Sequence, residues 1–218
     1  MTIKNYLLIL LAILSTLFVV FPHLDIYFSD KFYDQKIGFI FSNNFFVNLI
    51  FRCIPVITKL WATLCSVMLL VKFVNTKSIK ITLKSPIMFL LVAAVLGPGL
   101  VVNYGLKEHV GRARPKAIKE FGGTEDFTPA LTLSDACSTN CSFSSGHAAM
   151  AFYFTSLAWI TAVSYQNLVL IITSSFGLLV GLGRVMQGGH FISDVIFSFL
   201  IILLNEFCFR VWKSLYAK

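Results

Sequence analysis

Long apolar runs separated by short polar stretches dominate the chain. A helix needs about 20 mostly apolar residues to cross the hydrocarbon core of a bilayer, and six runs approach that length. We therefore predict an all-α fold, a bundle of six membrane-spanning helices. The spans are expected at residues 6–21, about 56–73, 86–106, 148–163, 168–182 and 191–212.

Polar residues, proline or glycine interrupt some of these runs, and the first run could be either a signal peptide or a permanent helix. Arg52, Pro55 and Lys59 interrupt the run 45–73, so we expect a short amphipathic or re-entrant piece before the second span. A Gly-Pro-Gly sequence at 97–99 predicts a kink in the third span, because proline cannot donate the helical hydrogen bond. No small-x-small cleavage site follows the first run, which is therefore expected to remain as an uncleaved helix.

The charges of the connecting segments predict the orientation. Lysine and arginine concentrate in the cytoplasmic loops of membrane proteins. The segment 74–85 carries three lysines and no acid, and the C-terminal end is also basic, so both are assigned to the cytoplasm. The segment 22–44 carries three aspartates against two lysines and is assigned outside. Six spans with both termini inside then place 107–147 and 183–190 at the outer face.

Composition supports a membrane location and excludes other classes. Of the 218 residues, 57% are hydrophobic and only 13% are charged, against roughly 25% charged residues in soluble domains. The length predicts a single domain, 1–218, with no second soluble module. The net charge of +8 would suit a nucleic-acid partner, but the basic residues are scattered at the ends of apolar runs. Nucleic-acid binding is therefore not expected.

Five cysteines are present. Cys53, Cys65 and Cys208 lie within apolar runs, where cysteine behaves as a small core residue. Cys137 and Cys141 instead lie in a polar loop, and in an oxidising compartment they would form a disulfide, which we favour. The alternatives are two free thiols or, from an isolated C-x3-C, a metal site.

Three polar clusters do not fit a plain helical bundle. The first occupies 107–115, the second 144–147, and the third consists of Arg184, His190 and Asp194. All three fall at the outer face under an orientation derived from the loop charges alone. Their agreement favours one functional site over three unrelated coincidences.

The side chains of these clusters suit a phosphate. Lys107, Arg114 and Arg184 are cations that match the oxygens of a phosphoryl group. Ser145 and Gly146 precede a helix, and the N–H groups at a helix start bind anions. Taken singly, the cations could equally anchor helices at the membrane interface, and Ser-Gly could be an ordinary helix cap.

Two histidines add proton transfer and a nucleophile. His190 and Asp194 stand at i, i+4, so one imidazole nitrogen can donate to the carboxylate while the other stays free to attack. His147 suits proton transfer near neutral pH. A metal pair or a structural hydrogen bond is the alternative for His190 and Asp194. His109 is expected to lie at the membrane interface.

Together the clusters resemble the signature of the phosphatidic acid phosphatase type 2 (PAP2) superfamily: K-x6-R-P, P-S-G-H and S-R-x5-H-x3-D. The resemblance covers about residues 86–212, and every charged and histidine position of the signature is present. Ser144 stands where the family usually has proline, and Gly183 where it usually has serine. Because Gly183 lacks the serine hydroxyl, we expect a change in phosphate affinity or substrate range but not in the fold.

The resemblance implies a metal-independent phosphatase. His190 would attack phosphorus to form a phosphohistidine, and Asp194 would orient and polarise it. His147 would protonate the leaving oxygen and then activate water. No metal or other cofactor is expected, because protein cations take the place of Mg²⁺. The residues expected to bind the phosphate are Lys107, Arg114, Arg184, Ser145 and Gly146, with Arg112 as a further candidate.

Flanking segments narrow the substrate. The stretches 21–26 with 32–34, and 97–104, resemble bacterial lipid A phosphatases, the 4′-phosphatase type more than the 1-phosphatase type. The loop 116–143 exceeds the usual limit of about 12–15 residues and is expected to act as a lid over a bulky headgroup.

We therefore predict removal of a phosphate, preferably the 4′ phosphate, from lipid A at the periplasmic face of the inner membrane. Undecaprenyl pyrophosphate and phosphatidylglycerophosphate phosphatases share the signature and are the enzyme alternatives. A channel or transporter is disfavoured, because the ionisable groups cluster at one face rather than along a path through the bilayer. A catalytically idle structural protein is disfavoured because every signature charge is intact.

Overall fold

The computed structural model describes residues 3–79 and 85–216. Within them the chain forms seven α-helices of at least seven residues and one short hairpin, antiparallel strands β1 (Tyr33–Asp34) and β2 (Gly38–Phe39). Lys80, Lys84 and Lys218, on which the predicted orientation partly rests, lie outside the described residues. The helices are α1 (Ile3–Val20), α2 (His23–Asp30), α3 (Phe45–Thr76), α4 (Pro86–Ala94), α5 (Gly146–Phe152), α6 (Gln166–Met186) and α7 (Ile192–Tyr216).

A sharp bend of 98° separates α1 from α2. Pro22 lies at the junction, and proline cannot continue the helical hydrogen-bond ladder. The bend turns Asp25 and Ser29 of α2 inward, where both are fully buried. The segment that the sequence predicted only as an outer loop thus begins with a helix whose polar face is packed inside the protein.

Helix α3 is continuous over 32 residues, so the predicted break near Pro55 is wrong. The side chain of Asn44 caps its start by accepting from the Val47 N–H at 3.1 Å. Pro55 removes one backbone donor without ending the helix, and Thr58 donates to the neighbouring Ile54 carbonyl at 2.9 Å. At about 1.5 Å per residue, α3 is longer than the roughly 30 Å hydrocarbon core.

Helix α4 changes its winding instead of breaking at the Gly-Pro-Gly sequence. From Val95–Leu106 the chain is π-helical, and a last α-helical turn follows at Lys107–His109. Pro98 cannot donate to the ladder, and wider π-type windings accommodate such a position. The whole stretch therefore runs without interruption to Lys107.

Three described helical stretches are long and apolar enough to cross a membrane: Phe45–Thr76, Pro86–His109 and Val163–Met186. The bent pair α1–α2 makes a fourth if it counts as one span. The chain is thus a mostly helical membrane protein, whereas the count of six spans is not confirmed. The predicted fourth span, 148–163, contains the short α5 followed by a 3₁₀ stretch, Tyr153–Trp159.

Glycines let α5, α6 and α7 approach closely in the core. Phe152 of α5 stacks on Phe199 of α7 with ring centroids 4.1 Å apart. A Cβ at Gly177 of α6 would lie 2.2 Å from the Phe152 ring, and one at Gly181 would lie 2.3 Å from Val195. Close packing through small residues is typical of membrane helices. It brings the starts of α5 and α7 beside the end of α6, where the polar clusters lie.

Candidate active site

His190 lies in the tight connection between α6 and α7. The carbonyl of Arg184 accepts from the backbone N–H groups of Gly189 at 3.0 Å and His190 at 3.3 Å, which fixes the connection against the end of α6. Gly188 adopts φ +64°, and the ring of Phe39 occupies the space that a side chain there would need. The loop is therefore held from both sides, and the imidazole is fully buried.

The two nitrogens of the His190 ring have different environments. Nδ1 lies 2.7 Å from the Ser142 carbonyl oxygen and 3.6 Å from Oδ2 of Asp194. Because a carbonyl oxygen only accepts, Nδ1 carries the proton and Nε2 presents its lone pair. Nε2 is buried and has no hydrogen-bond partner among the described residues. Buried polar atoms without a partner are rare in folded proteins and mark a place for a ligand or a reacting atom.

The i, i+4 spacing predicted a direct hydrogen bond from the His190 ring to Asp194, but Asp194 acts on the ring through Ser142. Its Oδ2 accepts from the Ser142 hydroxyl at 2.5 Å and from the Phe191 N–H at 2.8 Å. The imidazole therefore donates to the Ser142 backbone, and Asp194 fixes Ser142 in place. The carboxylate still lies close enough to stabilise positive charge on the ring.

The pKa of His190 is lowered to about 4, mainly by burial; Asp194 opposes this shift, and the charge of Arg184 contributes to it. The imidazole is therefore neutral at physiological pH. A neutral imidazole with a free Nε2 lone pair is the state that a nucleophile requires.

Arg184, at the end of α6, lies against the loop that carries His190. A Cβ at Gly189 would lie 2.2 Å from Nη2 of Arg184, so glycine leaves the space that the guanidinium occupies there. Gln187 accepts a hydrogen bond from Nη1, and the ring of Phe51 lies 4.4 Å from the guanidinium carbon. Nε is buried without a partner among the described residues, which leaves donor capacity for an anion.

Lys107 and Arg114 are braced by the loop that precedes α5. The carbonyl of Asn140 accepts from Nε of Arg114 at 3.2 Å and from Nη2 at 2.7 Å. The N–H of Cys141 donates to the Lys107 carbonyl at 3.2 Å. The structure joins Cys137 to Cys141 as a disulfide with Cα atoms 5.6 Å apart, so the ring that holds Asn140 is closed covalently.

His147, in the first turn of α5, stacks on the same Phe51 ring as Arg184, with centroids 4.4 Å apart. Burial lowers the pKa of His147 to about 3, and the positive charge of Arg184 is the next contribution. The charges of Lys107 and Arg114 act on it as well. The three predicted cations and both histidines are therefore brought together in one place.

Ser145 has a different role from the one predicted. Its side chain caps α5 by accepting from the Ala148 N–H at 3.4 Å, and its own N–H donates to the Asp194 carbonyl at 3.3 Å. That N–H is consequently not free for a phosphate. Gly146 is glycine for packing reasons, because a Cβ would lie 2.3 Å from Oδ1 of Asn103.

Arg112 is not a substrate contact, and that prediction is corrected here. The side chain is fully buried. Its Nη1 donates to Oδ1 of Asp194 at 2.6 Å and its Nη2 to Oδ2 of Asp25 at 2.7 Å. Nε donates to the Thr128 carbonyl at 2.8 Å, and the guanidinium carbon lies 4.2 Å from the centre of the Phe191 ring. With its donors already engaged inside the protein, Arg112 has no free face for a headgroup.

The PAP2 superfamily pattern matches residues 86–213, more than half of the chain. The chain belongs to the PAP2 superfamily. It is a phosphatase, as the signature predicted. The same stretch contains every histidine and cation of the site described above.

Individual relatives of this PAP2 phosphatase support the same assignment. It is 34% identical over 206 residues to a protein of Francisella tularensis subsp. novicida named lipid A 4′-phosphatase, covering 92% of this chain and 90% of that one. It is 37% identical over 110 residues to a lipid A 4′-phosphatase of Rhizobium leguminosarum, about half of each chain (50% and 47%). The predicted resemblance to the 4′-phosphatase type is confirmed.

A solved structure has the same fold. The crystal structure of a transmembrane PAP2-type phosphatidylglycerolphosphate phosphatase from Bacillus subtilis matches with a TM-score of 0.56 and 21% identity, covering 99% of this chain and 98% of that one. At this identity the match shows the fold alone.

Several residues of the PAP2 site were not predicted from the sequence. Ser142 supplies both the carbonyl that accepts the hydrogen bond from Nδ1 of His190 and the hydroxyl that donates to Asp194. Phe51 belongs to α3, far from the signature, and Asp25 was interpreted only as a loop charge. Asp25 lies in a segment that resembles lipid A phosphatases, which was the one available signal for it.

Proposed function

We propose that this PAP2 phosphatase removes a phosphate, preferably the 4′ phosphate, from lipid A at the periplasmic face of the inner membrane. The observation that carries the chemistry is the buried Nε2 of His190, which has no hydrogen-bond partner among the described residues and lies near the charges of Lys107 and Arg184. The relatives named lipid A 4′-phosphatase support the substrate. The clustering of the charged site residues at one end of the bundle supports a site at one membrane face.

The first chemical step follows from the ring geometry. Nε2 of His190 donates its lone pair to phosphorus, and the bond from phosphorus to the sugar oxygen breaks. Nδ1–H keeps its hydrogen bond to the Ser142 carbonyl, and Asp194 stabilises the positive charge that develops on the ring. The cations Lys107, Arg114 and Arg184, with the Gly146 N–H, stabilise the phosphoryl oxygens.

His147 acts first as a general acid and then as a general base. Its pKa is low while the site is empty, but a phosphate dianion beside it favours the protonated ring. The protonated His147 gives its proton to the departing sugar oxygen. The neutral ring then takes a proton from water, whose oxygen attacks phosphorus and breaks the bond to Nε2. Inorganic phosphate leaves, and both histidines return to their starting states.

A lipid substrate is supported by an apolar groove of about 200 Å³ that begins at Arg184. The groove lies between α3 and α6 and is lined by Phe51, Gly183 and aliphatic side chains of both helices. A Cβ at Gly183 would lie 3.3 Å from Cγ1 of Val47, within the groove. The glycine at the position where the family usually has serine therefore widens a path suited to an acyl chain beside the phosphate site.

The proposal also includes the predicted orientation, the single domain and the role of the loop 116–143. We place both termini in the cytoplasm and treat 1–218 as one membrane-embedded domain. The loop 116–143 is expected to cover the headgroup. Its carbonyls at Thr128 and Asn140 already hold two arginines of the site, so a lid formed by this loop would be coupled to the site.

A substrate comparison tests the proposal. Purified protein in detergent is offered lipid A, undecaprenyl pyrophosphate and phosphatidylglycerophosphate, and released phosphate is measured. We expect the highest kcat/KM for lipid A, with a product mass that retains the 1-phosphate. Higher kcat/KM for either of the other lipids would overturn the substrate, and release that is unaffected by His190→Gln would overturn the site.

Chelation provides a second prediction. Because protein cations surround the phosphate, kcat in an excess of EDTA is expected to equal kcat in its absence. The matched control is a Mg²⁺-dependent phosphatase assayed in the same detergent and buffer, which must lose activity. Loss of this protein's activity in EDTA, restored by Mg²⁺, would contradict the proposed mechanism.

A further inference from the structure

A buried chain of four polar groups links the N-terminal bend to the catalytic loop. Asp25 of α2 accepts from Arg112 at 2.7 Å, and Arg112 donates to Asp194 at 2.6 Å. Ser193 bridges Asp25 and Arg112: its hydroxyl donates to Asp25 at 2.5 Å and accepts from Arg112 at 2.9 Å. The Ser193 N–H also donates to Asp25, at 2.9 Å. All four side chains are fully buried.

The charges in this chain do not cancel. Burial raises the pKa of Asp25, whereas the charge of Arg112 and the hydrogen bond from Ser193 lower it. Asp25 accepts from the Arg112 guanidinium and from both the N–H and the hydroxyl of Ser193, an arrangement that stabilises its ionised form. With both carboxylates ionised around Arg112, the group carries a net charge of −1 beside His190. Without the charge of Asp25, Arg112 would neutralise Asp194 alone. The imidazole would then face a neutral pair at the moment when it gains positive charge by attacking phosphorus. In a buried site such a charge interacts strongly with a developing charge.

We infer that Asp25 is a positioning residue of the phosphatase reaction. Because Arg112 is shared between Asp25 and Asp194, it does not fully neutralise Asp194. Negative charge therefore remains next to His190. This inference rests on the proposed function, because it concerns the same nucleophile. It extends the site beyond the PAP2 signature, since Asp25 lies 61 residues before the first matched position, Pro86.

A purely structural role would give a different result. If Asp25 only packs α2 against α7, the near-isosteric Asp25→Asn should lower thermal stability and leave the kinetics of the folded fraction unchanged. If its charge supports the attack, kcat should fall with KM unchanged, because the substrate phosphate does not touch this group. A loss of about 10²-fold is expected, the size that removal of one electrostatic stabiliser of a transition state produces.

The decisive variant is the double replacement Asp25→Asn with Arg112→Gln. It removes one negative and one positive charge and so restores a net charge of −1 at Asp194. We expect its kcat to exceed that of Asp25→Asn alone, whereas two independent structural defects would add and lower kcat further. Rates are measured in single turnovers with an aryl phosphate, which report formation of the phosphohistidine directly.

Two matched controls accompany these variants. Asp30→Asn changes an exposed carboxylate on the same helix, α2. Glu206→Gln changes a buried carboxylate on α7 that accepts from Thr155 at 3.0 Å and Trp159 at 2.7 Å, away from the loop of His190. Both are expected to keep the wild-type kcat in the folded fraction, even where Glu206→Gln lowers the melting temperature.

If Asp25→Asn does not fold, Ser193→Ala serves instead, because it removes the hydroxyl between Asp25 and Arg112 and keeps all charges. A loss of about tenfold in kcat with unchanged KM is expected, equivalent to one hydrogen bond. The inference is overturned if the folded variants keep the wild-type kcat, or if KM rises in proportion to the loss. Failure of the proposed function is separate: wild type itself would then release no His190-dependent phosphate.

Discussion

Replacing His190 by glutamine is expected to lower kcat on the order of 10⁶-fold, the size seen when a covalent nucleophile is removed. Glutamine fills much of the same space, and its amide has no lone pair able to bond to phosphorus. The attacking lone pair is on Nε2, which is buried and has no hydrogen-bond partner among the described residues. The measurement is phosphate release from lipid A, combined with an alkaline quench that preserves phosphohistidine.

The same chain offers a matched control for His190. His109 lies exposed at the end of the α-helical turn Lys107–His109, with Nδ1 2.8 Å from the Gly105 carbonyl. His109→Gln is expected to retain wild-type kcat and to form the phosphoenzyme. Detection of a phosphoenzyme in the His190→Gln protein would assign the nucleophile to another residue.

Replacing His147 by alanine is expected to lower kcat for lipid A about 10³-fold, within the range for general acid–base catalysis. The sugar oxygen is a poor leaving group and needs a proton from His147. An aryl phosphate leaves without that proton, so its first step should proceed at a rate close to wild type. Hydrolysis of the phosphohistidine still needs a base, and phosphoenzyme should therefore accumulate with the aryl substrate.

The leaving-group comparison separates this role from loss of packing. His147 stacks on Phe51, which also lies under Arg184, so alanine could disturb the cation as well. His147→Phe keeps an aromatic ring on Phe51 and removes only the proton transfer. If both variants slow the lipid and the aryl substrate equally in the first step, His147 is not the acid.

The signature residues could be predicted because their spacing is local. Arg184, His190 and Asp194 lie within eleven positions, and the end of one helix and the start of the next bring them together. The loop charges predicted which polar segments share a face. Periodicity could not show that Nδ1 of His190 donates a hydrogen bond to the Ser142 carbonyl, 48 positions away.

The long-range contacts escaped prediction for the same reason. Asp25 meets Arg112 across 87 positions and Ser193 across 168. Both charged residues resemble ordinary surface charges in a single sequence, and only burial shows that they are paired. The sequence accordingly makes Arg112 a further candidate for binding the phosphate, although its partners are inside the protein.

The helices were predicted with uneven success, and the errors have physical causes. The run 45–73 was divided because Pro55 and two cations suggested a break, but one missing donor does not end a membrane helix. The span at 148–163 was predicted from apolarity alone. Its α-helical part is short, and the chain continues as a tighter 3₁₀ stretch where side chains pack against neighbouring helices.

The 98° bend at Pro22 affects how this enzyme could be recombined with its relatives. The family pattern begins at residue 86, so a chimera joined at that border would combine a foreign α2 with the native Arg112. The recipient would keep every signature residue and yet depend on whether the donor segment supplies a carboxylate at the right depth. Exchange of specificity between PAP2 phosphatases is therefore better attempted with the first 30 residues and the loop 107–115 taken from the same parent.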